Sequence, residues 1–311
     1  MAAASLLPAP FVSMAQGARF PTRPLTMIVP LPKGSAADIS ARFLADAMSV
    51  QLGQPVAVDN KPGDQFMVAM KALADAPADG YTLLHINPVM CAVQAVQKTY
   101  DLSRLCAVGM MGGTDMLIMA SPQAPFKTLP DMLAWARANP GQLKYGALGR
   151  GSLEHLTMIS LLRRSDITAR SVDFKGGGEG AQALARGEVM VMPLAAPIYL
   201  KLKDQLVPLA VNQRGARSTL APDVPTLREL QLNVPSASYW GGLAAAPDTP
   251  APVLAPLEKA LASAVESQDL RQRFASAGIA ARFESAKDMQ LRITVDLAWM
   301  GGVAQGEFKA G

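Results

Sequence analysis

The side chains best suited to chemistry are few and scattered. Histidine occurs twice in 311 residues, at His85 and His155, and cysteine twice, at Cys91 and Cys106. Neither HxxxH nor HExxH occurs, which argues against a common helical zinc site, and two cysteines cannot form a structural zinc site of their own. Ser152 follows Gly151, with His155 a turn beyond. That pair could give a hydrolase its nucleophile and base, but the Gly-x-Ser-x-Gly elbow that presents such a serine is missing. His155 could reach a site beside the loop at 149–152, whereas His85 lies in an apolar run and reads as a satisfied core residue. Lys175-Gly176-Gly177-Gly178 lacks the Gly-Lys-Ser/Thr ending of a phosphate loop, and Gly149-x-Gly151 is not completed to a dinucleotide fingerprint. No catalytic set assembles; no catalytic residue, metal or cofactor is expected.

What recurs is a device for holding an anion. Gly-bearing loops enter helical patterns at residues 30–38, 60–66, 149–153 and 175–180. At such a junction free backbone N–H groups and the helix dipole converge on one spot. Tight turns alone would explain each glycine singly, but not their shared place after a strand. The opening junction organises the rest. Met27-Ile28-Val29 breaks at Pro30-Leu31-Pro32-Lys33-Gly34, and Ser35 with Asp38 three residues on resembles a capping box. Ile39, Phe43, Ala47 and Met48 recur at helical spacing, Gly53 ends the helix, and Val56-Ala57-Val58 is the next strand.

The elements that must position these loops alternate. A helix through Ala69, Leu73 and Ala74 precedes a buried strand at 81–86, and this βαβ order predicts a parallel sheet. Residues 105–111 and 116–120 read as strands around Gly112-Gly113, and 130–139 as a helix. The strand at 144–148 and helix at 153–164 restate the opening unit. A helix at 181–186, a strand at 189–192 ending at Pro193 and a strand at 206–211 follow. Residues 239–245 read as a strand, 253–267 and 291–301 as helices, and 279–284 as β-like. The fold class is therefore α/β, with 19–114 plus 239–311 as one lobe, 115–238 as the other, and a cleft at the strands' carboxyl ends.

Composition sets the remaining bounds. Half of the residues are apolar, 17% are charged, 5% are aromatic, and the formal net charge is +4. A large core is affordable, and no basic-aromatic stripe is present, so nucleic acid is not an expected partner. Residues 1–18 are mostly small and apolar, and Ser13-Met14-Ala15 fits signal-peptidase cleavage after Ala15. A basic n-region is missing, and Pro8 and Pro10 interrupt the apolar run, so an export-signal remnant and a plain tail both fit. No later run approaches the roughly 18 apolar residues of a membrane span. Cys91, at a strand end, and Cys106 read as buried free thiols, although export would permit a disulfide.

Five segments in order resemble one family. They are Arg23-Pro24-Leu25-Thr26-Met27-Ile28-Val29-Pro30, Asp38-Ile39-Ser40-Ala41-Arg42, Leu52-Gly53-Gln54-Pro55-Val56, Asn60-Lys61-Pro62-Gly63 and Ala78-Asp79-Gly80-Tyr81-Thr82-Leu83-Leu84. Lys175-Gly176-Gly177, Ala221-Pro222-Asp223-Val224-Pro225-Thr226 and Trp240-Gly241-Gly242-Leu243 carry the likeness further. The chain resembles the periplasmic binding proteins of tripartite tricarboxylate transporters, the Bug or TctC-like family. The resemblance implies a two-lobed Venus-flytrap protein, a periplasmic monomer that captures a small organic carboxylate. It would offer that ligand to membrane permease subunits or to a sensor protein. The implied site takes Leu31, Lys33, Gly34, Ser35 and Asp38 from the first loop, Gly63, Asp64, Gln65 and Phe66 from the second, and Asn87. Arg150, Gly151, Ser152, His155, Lys175, Gly176 and Leu194 would approach from the other lobe.

Departures from the family pattern shape the ligand expected. Lys33-Gly34-Ser35 stands where the family has a small residue and a Gly-Gly pair, so Lys33 either meets a ligand carboxylate or is solvated. Asp64-Gln65-Phe66 replaces Ala-Gly-Gly, which restricts close backbone approach. Asp64 would repel an anion unless Lys33 or a water offsets it, and Phe66 could stack on a flat ligand. Pro193-Leu194 replaces a Phe-Asp pair able to meet an amine. A mono- or dicarboxylate with an apolar or aromatic body is expected over an amino acid. The alternatives are a degenerate relative acting as a sensor or partner-binding protein, and the Ser152/His155 hydrolase.

Overall fold

The computed structural model describes residues 20–212, 217–235 and 237–308, so the tail at 1–18 and its cleavage point lie outside them. Strand β1 (Leu25–Val29) runs into α1 (Ala36–Leu52), β2 (Val56–Asn60), α2 (Met67–Ala74), β3 (Thr82–Ile86) and α3 (Pro88–Gln97). β4 (Cys106–Thr114) leads almost directly into β5 (Met116–Ala120), then α4 (Leu129–Ala138), β6 (Lys144–Ala147) and α5 (Leu153–Arg164). β7 (Arg170–Asp173), α6 (Gly177–Ala185), β8 (Val191–Ala195), α7 (Ala196–Leu202) and β9 (Val207–Val211) follow. The last described elements are β10 (Tyr239–Ala245), α8 (Ala251–Glu266), α9 (Gln268–Ser276), β11 (Ala280–Glu284) and α10 (Ala286–Phe308).

Two sheets result, ordered β11-β4-β10-β3-β1-β2 and β7-β6-β8-β5-β9. The expected parallel pairing holds in the βαβ units: β1 is parallel to β2 and β3, and β6 to β7 and β8. It fails where the chain passes between sheets. β4 carries the chain out of the six-stranded sheet and β10 brings it back, so the two lie antiparallel, with Tyr239 opposite Thr114.

Several local expectations need correction. β4 runs through Gly112 and Gly113 instead of breaking there: a Cβ on Gly112 would sit 2.1 Å from the Ala280 carbonyl oxygen, and one on Gly113 2.2 Å from that of Tyr239. These glycines serve close strand approach, not a turn. The buried stripe of α1 is Ala41, Leu44, Ala45 and Met48. Of the expected line Ile39, Phe43, Ala47 and Met48, Met48 is buried and Phe43 and Ala47 pack against the same core, but Ile39 stays 39% exposed. Pro193 lies within β8: beyond Val191 that strand pairs only with β5, so the missing N–H breaks no second ladder. Cys91 lies buried in α3, not at a strand end; both cysteines are free, and Cys106 is half-buried. α3, α7 and α9 were not anticipated. Among the described residues no helix is long and apolar enough to cross a membrane.

The six-stranded sheet packs one face on α1, α8 and α9 through Leu44, Met48, Leu261 and Phe274. Its other face meets α2, α3 and α10 through Leu73, Met90 and Ile293, in a core that also takes in Leu153 and Leu156 of α5. The two halves thus share buried surface at α5. Arg163 of α5 donates to the Val303 carbonyl at 3.1 Å and to Glu307 at 2.8 Å, both near the end of α10.

Candidate functional site

The first loop is fixed from beneath by one acid. Ser35 caps α1, its Oγ accepting from the Asp38 amide at 3.2 Å. In return the Asp38 carboxylate accepts not from Ser35, as a capping box would have it, but from the Gly34 amide at 2.8 Å. It also accepts from Arg42 Nε at 3.1 Å and Asn60 Nδ2 at 2.9 Å, while the same Asn60 nitrogen donates to the Leu31 carbonyl at 3.0 Å. Burial pushes the Asp38 carboxyl up, but the bonds from Arg42, Gly34 and Asn60 together outweigh it and hold the pKa at about 2. Asp38 is therefore bound up in shaping the loop. In the first turn of α1 the amides of Ala36 and Ala37 have no acceptor among the described residues. They form the positive end of a 17-residue helix. Lys33 and Gly34 are exposed, and Lys33 makes no ion pair among the described residues.

The second loop is held in a strained shape. Gly63 has φ 118°, and Asp64, Gln65 and Phe66 follow at 43°, 50° and 77°. Three consecutive side-chain-bearing residues in the left-handed region are a local cost that persists where surrounding structure dictates it. The chain has lost the expected glycines yet keeps a glycine-like path. Asp64 and Gln65 are exposed, while Phe66, expected to stack on a ligand, is half-buried against the core shared with α3 and α5.

Between α1 and the end of β3 lies an apolar cavity of about 210 Å³, walled by Leu31, Ala36, Ala37, Met111 and Ile279 among others. His85, Thr114 and Tyr239 also line it. His85 is 2% exposed, and neither of its ring nitrogens has a hydrogen-bond partner, so it is buried but not satisfied. Burial pushes its imidazole down to about 4. This corrects the expectation of a satisfied core residue; the available signal was its place at the carboxyl end of a parallel strand, where α/β sheets bind ligands. Asn87 lines the same cavity, but its Oδ1 caps α3 by accepting from the amides of Val89 at 3.0 Å and Met90 at 3.3 Å.

The other lobe's candidates are largely engaged locally. Gly149 and Gly151 turn the loop at φ 99° and 86°. Ser152 caps α5, accepting from the His155 amide at 3.2 Å, and His155 Nδ1 accepts from the Gly151 amide at 3.2 Å. With Nδ1 an acceptor, the neutral ring carries its proton on Nε2 and is poorly arranged as a base for Ser152. Arg150 is exposed and donates to the Glu307 carbonyl at 3.2 Å. Lys175 is exposed, its amide donating to Glu179 at 3.0 Å, and Gly176 caps α6. Leu194, expected on a pocket wall, is 1% exposed within that lobe's core. Tyr239 donates from β10 to the buried Glu154 of α5, linking the halves; burial pushes the Glu154 carboxyl up and the Tyr239 phenol well up. Of the residues implied by the resemblance, the cavity thus gathers Leu31 and Asn87.

Comparison with known proteins places this geometry. The tripartite tricarboxylate transporter family receptor, TctC, matches residues 40–305. The chain belongs to the TctC receptor family. It is 32% identical over 279 residues to the UPF0065 protein of the gbd 5' region in Cupriavidus necator, covering 88% of this chain and 84% of that one. A TctC solute-binding protein from Polaromonas superposes with a TM-score of 0.84 at 24% identity, over 92% of this chain and 99% of that one. MatC from Rhodopseudomonas palustris with bound malate superposes at 0.72 with 26% identity, over 92% and 100%. The TctC fold, two-lobed and α/β, is therefore the fold of this chain.

Proposed function

We propose that this TctC receptor captures a small carboxylate in its cleft, in the periplasm, and presents it to the membrane subunits of a tripartite tricarboxylate transporter. The observation that carries this reading is the cavity under α1. Ala36 and Ala37, whose amides are open at a helix N-terminus, line it, and the rest of the lining is mostly apolar. Such a helix end favours an anion, and an apolar recess favours a ligand with a hydrocarbon body. MatC, similar in fold, holds malate. Lys33, exposed on the same loop, would meet a carboxylate that enters. Closure of the halves would follow differential affinity for the closed form, with Arg150 and Lys175 arriving from the second lobe. Ser152 and His155 serve in this reading as builders of the α5 entrance, so binding proceeds without turnover.

The test is thermal unfolding of the chain from Gln16 onward, unfolded and refolded first to remove carried-over ligand. The panel spans aliphatic and aromatic mono-, di- and tricarboxylates and acidic amino acids. A ligand at a thousand times its Kd stabilises by about 4 kcal/mol, which raises the midpoint by several degrees. A shift confined to carboxylates with an apolar body is the expected result. A shift with glutamate alone would overturn the ligand class, and silence across the panel would overturn the receptor reading.

A further inference from the structure

Among the described residues five buried side-chain nitrogen or oxygen atoms lack a hydrogen-bond partner. Three of them, His85 Nδ1, His85 Nε2 and Thr114 Oγ1, belong to residues lining the cavity beneath α1, and Thr114 also borders two adjoining recesses. Native interiors leave few polar groups unpaired, because each forfeits its bonds to water, so unpaired groups beside a shared recess call for a partner that arrives from outside. The imidazole lies covered at the edge of that recess. Position 241 is glycine, and a Cβ there would lie 3.3 Å from His85 Nε2. Met111 and Trp240 line the cavity beside it and offer the ring no strong acceptor, since a thioether accepts only weakly and an indole N–H only donates. The indole N–H is in any case directed to Asp296, at 2.8 Å.

The chemistry of this end differs from that of the α1 end. Burial favours the neutral imidazole, which presents one N–H donor and one bare acceptor, and the Thr114 hydroxyl likewise both donates and accepts. A second carboxylate accepts only and would leave the bare nitrogen unpaired. An ammonium donates only and would enter an apolar recess without a counter-charge. A hydroxyl matches both groups, donating to one while accepting from the other.

On the reading that a carboxylate sits at the α1 amides, we propose that His85 and Thr114 select ligands whose apolar body carries a hydroxyl at the end away from the carboxylate. His85 is then a specificity residue that the ligand touches. Its polar atoms stay unsatisfied in the free protein so that the right solute can satisfy them.

Matched acids test this by titration calorimetry: benzoate against para-hydroxybenzoate, and hexanoate against omega-hydroxyhexanoate, with malate and adipate alongside. In the wild-type protein the hydroxylated acid of at least one pair should bind roughly tenfold more tightly than its parent. In His85→Leu that preference should fall to about twofold or less. Thr114→Val, which deletes one hydroxyl and little volume, should lose part of the same preference and serves if His85→Leu does not fold. With only two histidines in the chain, ring-nitrogen NMR of the wild-type protein offers a further readout. The His85 nitrogen signals should move with the hydroxylated acid and not with its parent. If acids bind but the hydroxyl brings no gain, or the gain survives both substitutions, the assignment is overturned and the receptor reading stands. A preference for adipate over every hydroxylated acid overturns it equally. If none of these acids binds, the receptor reading falls and takes this one with it.

Discussion

His85→Leu weighs the cavity without any ligand. In the folded chain burial pushes the imidazole from 6.5 down to about 4. The unfolded chain keeps the ordinary value, so between those two pH values it binds a proton that the folded chain refuses. Stability therefore falls as the pH falls through that window and levels off below about 4. The whole gap corresponds to about 3 kcal/mol, of which about 2 kcal/mol is lost between pH 7 and pH 5. Leucine has no proton to gain, occupies a similar volume and removes two unpaired nitrogens. The variant should be more stable than wild type by about 1 to 3 kcal/mol at neutral pH, and by about 2 kcal/mol more at pH 5. Urea unfolding at the two pH values, followed through the three tryptophans, measures both quantities. Other titrating groups, Glu154 and His155 included, cancel in the difference between the two proteins. Parallel pH curves, with the variant less stable at pH 7, would mean that His85 is hydrogen-bonded or hydrated at rest. His85 would then have its partner already and would not be waiting for a ligand.

Three further substitutions examine the frame around the cavity. Tyr239→Phe removes the donor to buried Glu154 and should cost about 1 to 3 kcal/mol at neutral pH. Because burial raises the Glu154 pKa, the cost should shrink in acid, where the carboxyl is protonated; an undiminished cost in urea unfolding at pH 4 would argue otherwise. Asp38→Asn should lower stability by about 1 to 3 kcal/mol at pH 7, since it leaves Arg42 without its charge partner. The Asp38 pKa is depressed, so the wild-type advantage is present above 3.8 and is lost as the pH falls toward 2, where the two unfolding curves should converge. Gln65→Gly relieves a left-handed residue, a gain of about 1 to 2 kcal/mol offset in part by the roughly 0.5 to 1 kcal/mol that glycine's freedom costs. Scanning calorimetry should show a small rise in midpoint; a fall would mean the Gln65 side chain holds the loop.

Much of the architecture was legible because local chemistry and packing agree. Ser35 and Gly53 bracket α1 as their types dictate, and the alternation through β1, α1, β2, α2 and β3 gives the parallel core of the first sheet. The misreadings arise where a contact distant in sequence decides. Gly112 and Gly113 look like a turn until β10 and β11 are seen to press against them. Pro193 looks like a strand end until β8 is seen to be unpaired on one side there. The face of α1 turned on alanines, whose burial depends on α8 and not on their own hydrophobicity.

The site was legible in its loops and not in its floor. Strand-loop-helix junctions announce the α1 entrance, yet Asp38 and Asn87, which look like ligand groups, are occupied in holding loop and helix ends. Leu194 sits inside the fold because β8 is buried on both faces, Val191 in one core and Met192 and Leu194 in the other, which sequence spacing does not show. His85 sits in an apolar run like any core residue, and only its neighbours show that nothing bonds to it.

The most direct test of a carboxylate held at the α1 amides is the affinity of Ala36→Pro, by titration calorimetry, for whichever panel acid most stabilises the wild-type protein. Proline at the first helical position deletes one amide donor and is tolerated there. Ser35, extended at φ −69° and ψ 160°, already has the backbone that a following proline requires. The account predicts an unliganded midpoint close to wild type and an affinity lower by about tenfold or more. Wild-type affinity in a folded Ala36→Pro protein would contradict it and place the carboxylate elsewhere.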